Sequence, residues 1–237
     1  MACLAMGFSL VKVYNVFYKE IRLGKNMTTA ILLGATGEVG GAILQELLAS
    51  PAYSTVYVLG RSSINRLPHH PKMITIVTNL EDPQVDPAIL KQADVFFAIG
   101  TGVRADFERV DYGYAVAFAR LCQGKIKSFN LVSANGANPN TSYTYLRVKG
   151  QLEEELRKMD LGQVRFYRPS MLIAPKRANL QLGEAIWIKI FQIISPFLLG
   201  PLSSWKGIRP QAVASAMVSN AICANPKTIY RYKDMVK

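Results

Sequence analysis

Tyr145-Leu146-Arg147-Val148-Lys149 sets a phenol and an ammonium four residues apart, a spacing that brings both to one face of a helix. Upstream, Ser128-Phe129-Asn130-Leu131-Val132-Ser133 reads as a buried strand ending in a hydroxyl, where open α/β sheets place their sites. Ser133, Tyr145 and Lys149 therefore form a candidate proton-transfer set. Reducing a carbonyl needs hydride at carbon and a proton for the oxygen that becomes an alkoxide. A phenol alone serves this poorly at neutral pH, because its reference pKa is about 10. A nearby ammonium favours the phenolate and brings proton transfer toward the working range, the role expected of Lys149. The alternative is an exposed helix face that happens to carry both residues. Its position after the fifth strand-like run favours the chemistry.

A second constellation lies near the start of the chain. Gly34-Ala35-Thr36-Gly37-Glu38-Val39-Gly40 follows the apolar run Ala30-Ile31-Leu32-Leu33 and precedes Ala42-Ile43-Leu44-Gln45-Glu46-Leu47-Leu48, which has helical character. Strand, glycine turn and helix in that order leave the helix N-terminus facing the turn, where N–H groups and the helix dipole suit a pyrophosphate. Gly34 permits the turn, Gly37 lets backbone approach phosphate, and Gly40 lets the helix pack closely on the strand. Gly34, Thr36, Gly37, Glu38 and Val39 are the residues expected to line this cofactor turn.

The second strand-like run decides which dinucleotide is expected. Between the turn and Arg61 the acidic residues are Glu38 and Glu46, which belong to the turn and the first helix, so no carboxylate is left for a ribose 2'-hydroxyl. Instead Val56-Tyr57-Val58-Leu59-Gly60 runs into Arg61-Ser62-Ser63, and an arginine there accommodates a 2'-phosphate. Arg66 lies in the same stretch. NADP(H) is the expected cofactor, with an ordinary solvated Arg61 as the alternative.

These stretches, with Arg109-Val110-Asp111, Phe129 to Ser133, Tyr145 to Gly150 and Phe166 to Leu172, resemble the atypical short-chain dehydrogenase/reductases of the Tat-interacting-protein branch, related to NmrA-like NAD(P)H-binding proteins. The likeness runs from about Ala30 to Ile222. It implies that Lys149 also holds the nicotinamide ribose and that Ser133 hydrogen-bonds the substrate oxygen. It further implies that Pro169 and Ser170 approach the nicotinamide carboxamide. Ala98-Ile99-Gly100-Thr101-Gly102 stands where classical members carry Asn-Asn-Ala-Gly, a departure that suits an atypical member; Gly100 and Thr101 join the cofactor set and the catalytic tetrad is short of its asparagine.

Strand-like runs at Ala30 to Leu33, Val56 to Leu59, Ile74 to Val77, Val95 to Ile99, Ser128 to Val132 and Val164 to Tyr167 alternate with helical segments. That order predicts a doubly wound parallel sheet in an α/β, Rossmann-type domain. With 237 residues, half of them hydrophobic, one domain with an adequate core is expected. Residues 1–26 read as an N-terminal extension, an added amphipathic helix or a dispensable leader, ahead of an NAD(P)-binding domain at 27–237 with a small cap in about 171–210. Glu184 to Leu202 carries Trp187, Ile190, Phe191, Ile194, Phe197 and Leu198 at helical spacings. Core packing over the site is its expected role, with a lipid-surface contact or a dimer face as alternatives. Lys189 and Gln192 break the run and exclude a transmembrane helix there.

The formal net charge of +12 is dispersed, without a Lys/Arg block or a nucleic-acid signature, so no nucleic-acid partner is expected and part of the charge serves to steer an anionic cofactor. Cys3, Cys122 and Cys223 are few and far apart, and His69-His70 has no third ligand nearby, so neither disulfide nor metal is expected. The sequence reading is thus a cytoplasmic monomer or homodimer that uses NADPH to reduce a small apolar ketone or aldehyde. A redox-sensing or regulatory protein that binds NADPH but turns over little is the competing class.

Overall fold

The computed structural model describes residues 28–173 and 207–236. The 1–26 extension, the Glu184 to Leu202 stretch, Cys3 and nearly all of the expected cap lie outside the described residues.

β1 (Thr28–Leu33) has aliphatic residues buried on both faces, as a central parallel strand requires. α1 (Glu38–Ala49) follows, then β2 (Tyr53–Gly60), a 3₁₀ turn at Ser62–Arg66 and β3 (Met73–Val77). After α2 (Pro87–Leu90), β4 (Asp94–Phe97) leads into a 3₁₀ turn at Arg104–Asp106, a π-helix at Phe107–Gly113 and α3 (Tyr114–Cys122). Next come β5 (Ser128–Val132), α4 (Thr144–Lys158) and β6 (Gln163–Tyr167). α5 (Pro210–Ile222), β7 (Ile229–Tyr230) and α6 (Tyr232–Met235) complete the described fold.

All neighbouring strands pair in parallel in the order β3-β2-β1-β4-β5-β6-β7. The order reverses between β1 and β4, where loops diverge to opposite faces and open a crevice at the carboxyl ends of the strands. The register sets Leu32 beside Val58 on one side and Phe96 on the other. Alternate residues divide the core. Ala30, Leu32, Val56, Val58 and Phe96 pack under α1 and α5, while Ile31, Leu33, Val95, Phe97 and Phe129 pack under α3 and α4. The six strands expected from sequence are all present; β7 is an addition, too short to leave a periodic signal.

Candidate active site

At the β1/β4 switch point a cavity of about 320 Å³ opens at the carboxyl edge of the sheet. Gly34, Ala35, Thr36 and Gly37 form one side of it, Gly60, Arg61, Ser63 and Ile64 a second, and Ile99, Gly100 and Thr101 a third. Asp106, Arg109, Val110 and Tyr114 close it from the second 3₁₀ turn, the π-helix and α3, with Leu80 from the stretch after β3.

The turn that begins this cavity is forced by its glycines. Gly34 has φ +93, and a Cβ there would lie 2.6 Å from the Ala98 carbonyl on β4's extension. At Gly40 a Cβ would lie 1.9 Å from the Gly34 carbonyl oxygen, so α1 starts against the strand only because this residue has no side chain. Gly37 is the N-cap of α1 and supplies no side-chain cap, which leaves first-turn N–H groups directed toward an anion. Glu38 and Val39 follow in that first turn without lining the cavity, and Val39 is buried in the core, so any contact to a phosphate is through backbone N–H. The donors and the open side of this turn fit a pyrophosphate. Arg61, exposed at the cavity edge as N-cap of the 3₁₀ turn, fits a 2'-phosphate.

The residues expected from sequence to move the proton stand outside the lining of this cavity. Tyr145 and Lys149 lie in the first turns of α4, with Lys149 Nζ 5.8 Å from the Tyr145 ring centroid, so the expected shared face is realised. Lys149 Nζ reaches Asp111 Oδ1 at 2.8 Å and the Val132 carbonyl at 3.5 Å. Asp111 Oδ2 accepts the Thr101 N–H at 3.0 Å, which joins the cavity wall to α4 through one carboxylate. The π-helix that carries Asp111 also sets the Phe107 ring 5.1 Å from the Tyr145 ring, giving the phenol an apolar neighbour. Wide π turns of this kind are rare and recur at functional sites.

Ser133 is almost wholly buried, and its hydroxyl donates to Glu153 Oε1 at 2.5 Å. Glu153 in turn accepts from Arg168 Nε at 2.9 Å and Arg168 Nη2 at 2.6 Å, a two-point ion pair at the carboxyl end of β6. Pro169 accepts the Asn135 N–H at 2.9 Å, which ties the loops after β5 and β6 together, and Ser170 follows half-buried.

The cavity therefore gathers Gly34, Thr36, Gly37, Arg61, Gly100 and Thr101. Tyr145 and Lys149 meet each other and connect to it through Asp111, whereas Ser133, Pro169 and Ser170 lie outside its lining. Sequence reasoning passed over Asp111, although Arg109-Val110-Asp111 was visible before a helix, because an aspartate ahead of a helix reads as an N-terminal charge. Glu153 and Arg168 meet between α4 and the end of β6, a tertiary pairing that leaves no spacing in the sequence. Among the described residues there is no group of three or more His, Cys, Asp or Glu that could hold a metal, and no helix long and apolar enough to cross a membrane.

A family model described as NAD(P)H-binding matches residues 34–184. Protein HTATIP2 of Rattus norvegicus is 31% identical over 170 residues, covering 69% of this chain and 70% of its own. Protein FMP52-1, mitochondrial, of Scheffersomyces stipitis is 34% identical over 178 residues, covering 70% and 76%. The PhqB reductase domain from Penicillium fellutanum superposes with a TM-score of 0.60 at 16% identity, over 93% of this chain and 71% of that one, a likeness of fold. One expectation is corrected. The FMP52 relatives are named mitochondrial, which points away from the purely cytoplasmic location read from composition and cysteine usage. Neither of those features carries an address.

Proposed function

This chain belongs to the NAD(P)H-binding family, in the atypical short-chain dehydrogenase/reductase branch with HTATIP2 and FMP52, and we propose that it is an NADPH-dependent reductase of a small, rather apolar ketone or aldehyde. One observation carries this reading: a crevice at the glycine turn whose wall at Thr101 is linked through Asp111 to the Lys149 ammonium beside Tyr145. NADPH bound there supplies hydride. The Gly34 to Gly37 turn and the first N–H groups of α1 hold the pyrophosphate, and Arg61 holds the 2'-phosphate. Lys149 binds the ribose and keeps positive charge near the phenol, while the Tyr145 hydroxyl gives its proton to the developing alkoxide. Ser133 steadies the carbonyl oxygen after exchanging its hydrogen bond to Glu153 for one to substrate. Phe107, whose ring lies tilted 5.1 Å from that of Tyr145, favours an apolar substituent beside the reacting carbon.

The test is a titration with NADPH followed by a panel of small ketones and aldehydes, read by loss of NADPH absorbance. Binding with turnover that disappears in Tyr145→Phe supports the reading, and a chain that does not bind NADPH ends it. A second reading, an NADPH-binding regulatory protein with little turnover, is favoured by the commitments of Ser133 to Glu153 and of Lys149 to Asp111. Tight NADPH binding without turnover of any carbonyl would select it.

A further inference from the structure

Leu80 and Val110 line the cavity from two different elements, the stretch after β3 and the π-helix, and their sequence neighbours Glu81 and Arg109 form an ion pair. Arg109 Nη1 donates to Glu81 Oε1 at 3.2 Å and Nη2 donates to Asp106 Oδ1 at 2.9 Å. The side chains of Arg109 and Glu81 are 57% and 55% exposed, so the link lies at the surface, while Arg109 itself contributes to the lining. A guanidinium held in this way has its donor edges turned to carboxylates. What it presents to a ligand is its flat face.

We infer that Arg109 is an adenine-binding residue, a clasp that closes with Glu81 over a purine seated between Leu80 and Val110. The inference rests on the reading of this cavity as a dinucleotide site. A planar base gains from stacking on a guanidinium and from the apolar pair below it. A phosphate at the same place would meet two carboxylates that already occupy the donors, and Arg61 on the other wall serves that group better. Arg61 and Arg109 thus divide the adenosine end: one takes the 2'-phosphate, the other the base.

The experiment titrates the full chain and its Arg109→Ala, Arg109→Lys and Glu81→Gln variants with NADPH, NADH and reduced nicotinamide mononucleotide. Thermal melts confirm that each variant is folded. Arg109→Ala should weaken NADPH and NADH by the same factor, roughly tenfold, and leave the mononucleotide, which has no adenine, unchanged. Arg109→Lys should recover little, because the flat face is lost, and Glu81→Gln should fall between wild type and Arg109→Ala. Unchanged dinucleotide affinities in Arg109→Ala would overturn the assignment. So would a loss confined to NADPH, which would move Arg109 to the 2'-phosphate, or full recovery with lysine. A wild-type chain that binds neither dinucleotide would overturn the cavity reading itself and the clasp with it.

Discussion

Lys149 Nζ lies 2.8 Å from Asp111 Oδ1, with side chains only 3% and 1% exposed. Two unlike charges removed from water together are tolerable; either alone is not. The carboxylate also takes the Thr101 N–H, so one side chain satisfies a buried ammonium and fixes a loop of the cavity.

Removing Asp111 should therefore cost more than a surface ion pair would. Asp111→Ala is expected to lower unfolding stability by about 3–5 kcal/mol, because it leaves Lys149 buried without a counter-charge. Asp111→Asn keeps an acceptor for Thr101 but not the counter-charge, so it should recover only the smaller part of that loss. Urea denaturation of the two variants checks this, and a loss below about 1 kcal/mol for alanine, the level of an exposed pair, would contradict it.

Tyr145→Phe removes only a hydroxyl, from a ring that keeps its contact with Phe107. Carbonyl reduction should disappear while NADPH affinity stays within about a factor of two, since the lost interaction belongs to the transition state. Lys149→Ala should damage both, and it should also unfold more readily because Asp111 is then left unpaired. Undiminished turnover by the phenylalanine variant would exclude Tyr145 as the proton donor.

The sheet was legible because a parallel strand buried on both faces is a continuous apolar run, as in Ile31-Leu32-Leu33 and Val56 to Leu59, and each run ends at a glycine. Tyr145 and Lys149 were legible through the helical repeat alone. The partners of these residues were not. Asp111 meets Lys149 from the π-helix Phe107–Gly113, an element whose extra width no residue pattern announces. Likewise, a hydroxyl at the end of β5 reads as facing substrate, but whether it does depends on Glu153 and Arg168, which arrive from α4 and β6. β7 is held by its pairing with β6 and by the Tyr167–Tyr230 stack at 4.6 Å, contacts between residues far apart in sequence.

The two arginines of the adenosine end separate by ligand. Arg61→Ala should reduce NADPH affinity and leave NADH affinity near its starting value, so the ratio of the two approaches one. Wild-type protein should bind NADPH at least several-fold tighter than NADH. Fluorescence titration decides it, and equal wild-type affinities would remove the 2'-phosphate role from Arg61.

Burial pushes the Cys122 thiol up to about 12, against an ordinary value of 9.0, through desolvation in the core beneath α3. The unfolded thiol therefore ionises first as pH rises. Its contribution to stability is complete below about pH 9 and is lost between about pH 9 and 12, with a slope of about 1.4 kcal/mol per pH unit from this group. Cys122→Ala should flatten that alkaline limb. At neutral pH, peptide-resolved alkylation should leave Cys122 unmodified in the folded chain, and rapid modification there would show that the site opens readily.

Gly37 and Gly40 stand three residues apart in the same turn and should respond oppositely to one methyl group. At Gly40 the new Cβ would sit 1.9 Å from the Gly34 oxygen and 2.5 Å from its carbonyl carbon. The turn has little spare room on its other side, since a Cβ added at Gly34 would lie 2.6 Å from the Ala98 carbonyl. Gly40→Ala must then shift α1, with an overpacking cost of about 1–3 kcal/mol and loss of NADPH binding, because the N–H groups that hold the pyrophosphate move with the helix. At Gly37 the Cβ would meet only the Gly34 oxygen at 3.4 Å, an ordinary contact, and its other side faces the cavity. Gly37→Ala should fold with nearly unchanged stability and still bind NADPH at least tenfold more weakly, since the methyl occupies the path by which phosphate approaches the backbone. Thermal melts and NADPH titrations on the two variants separate these outcomes. A Gly37→Ala chain with wild-type affinity would mean that the pyrophosphate does not lie on this turn.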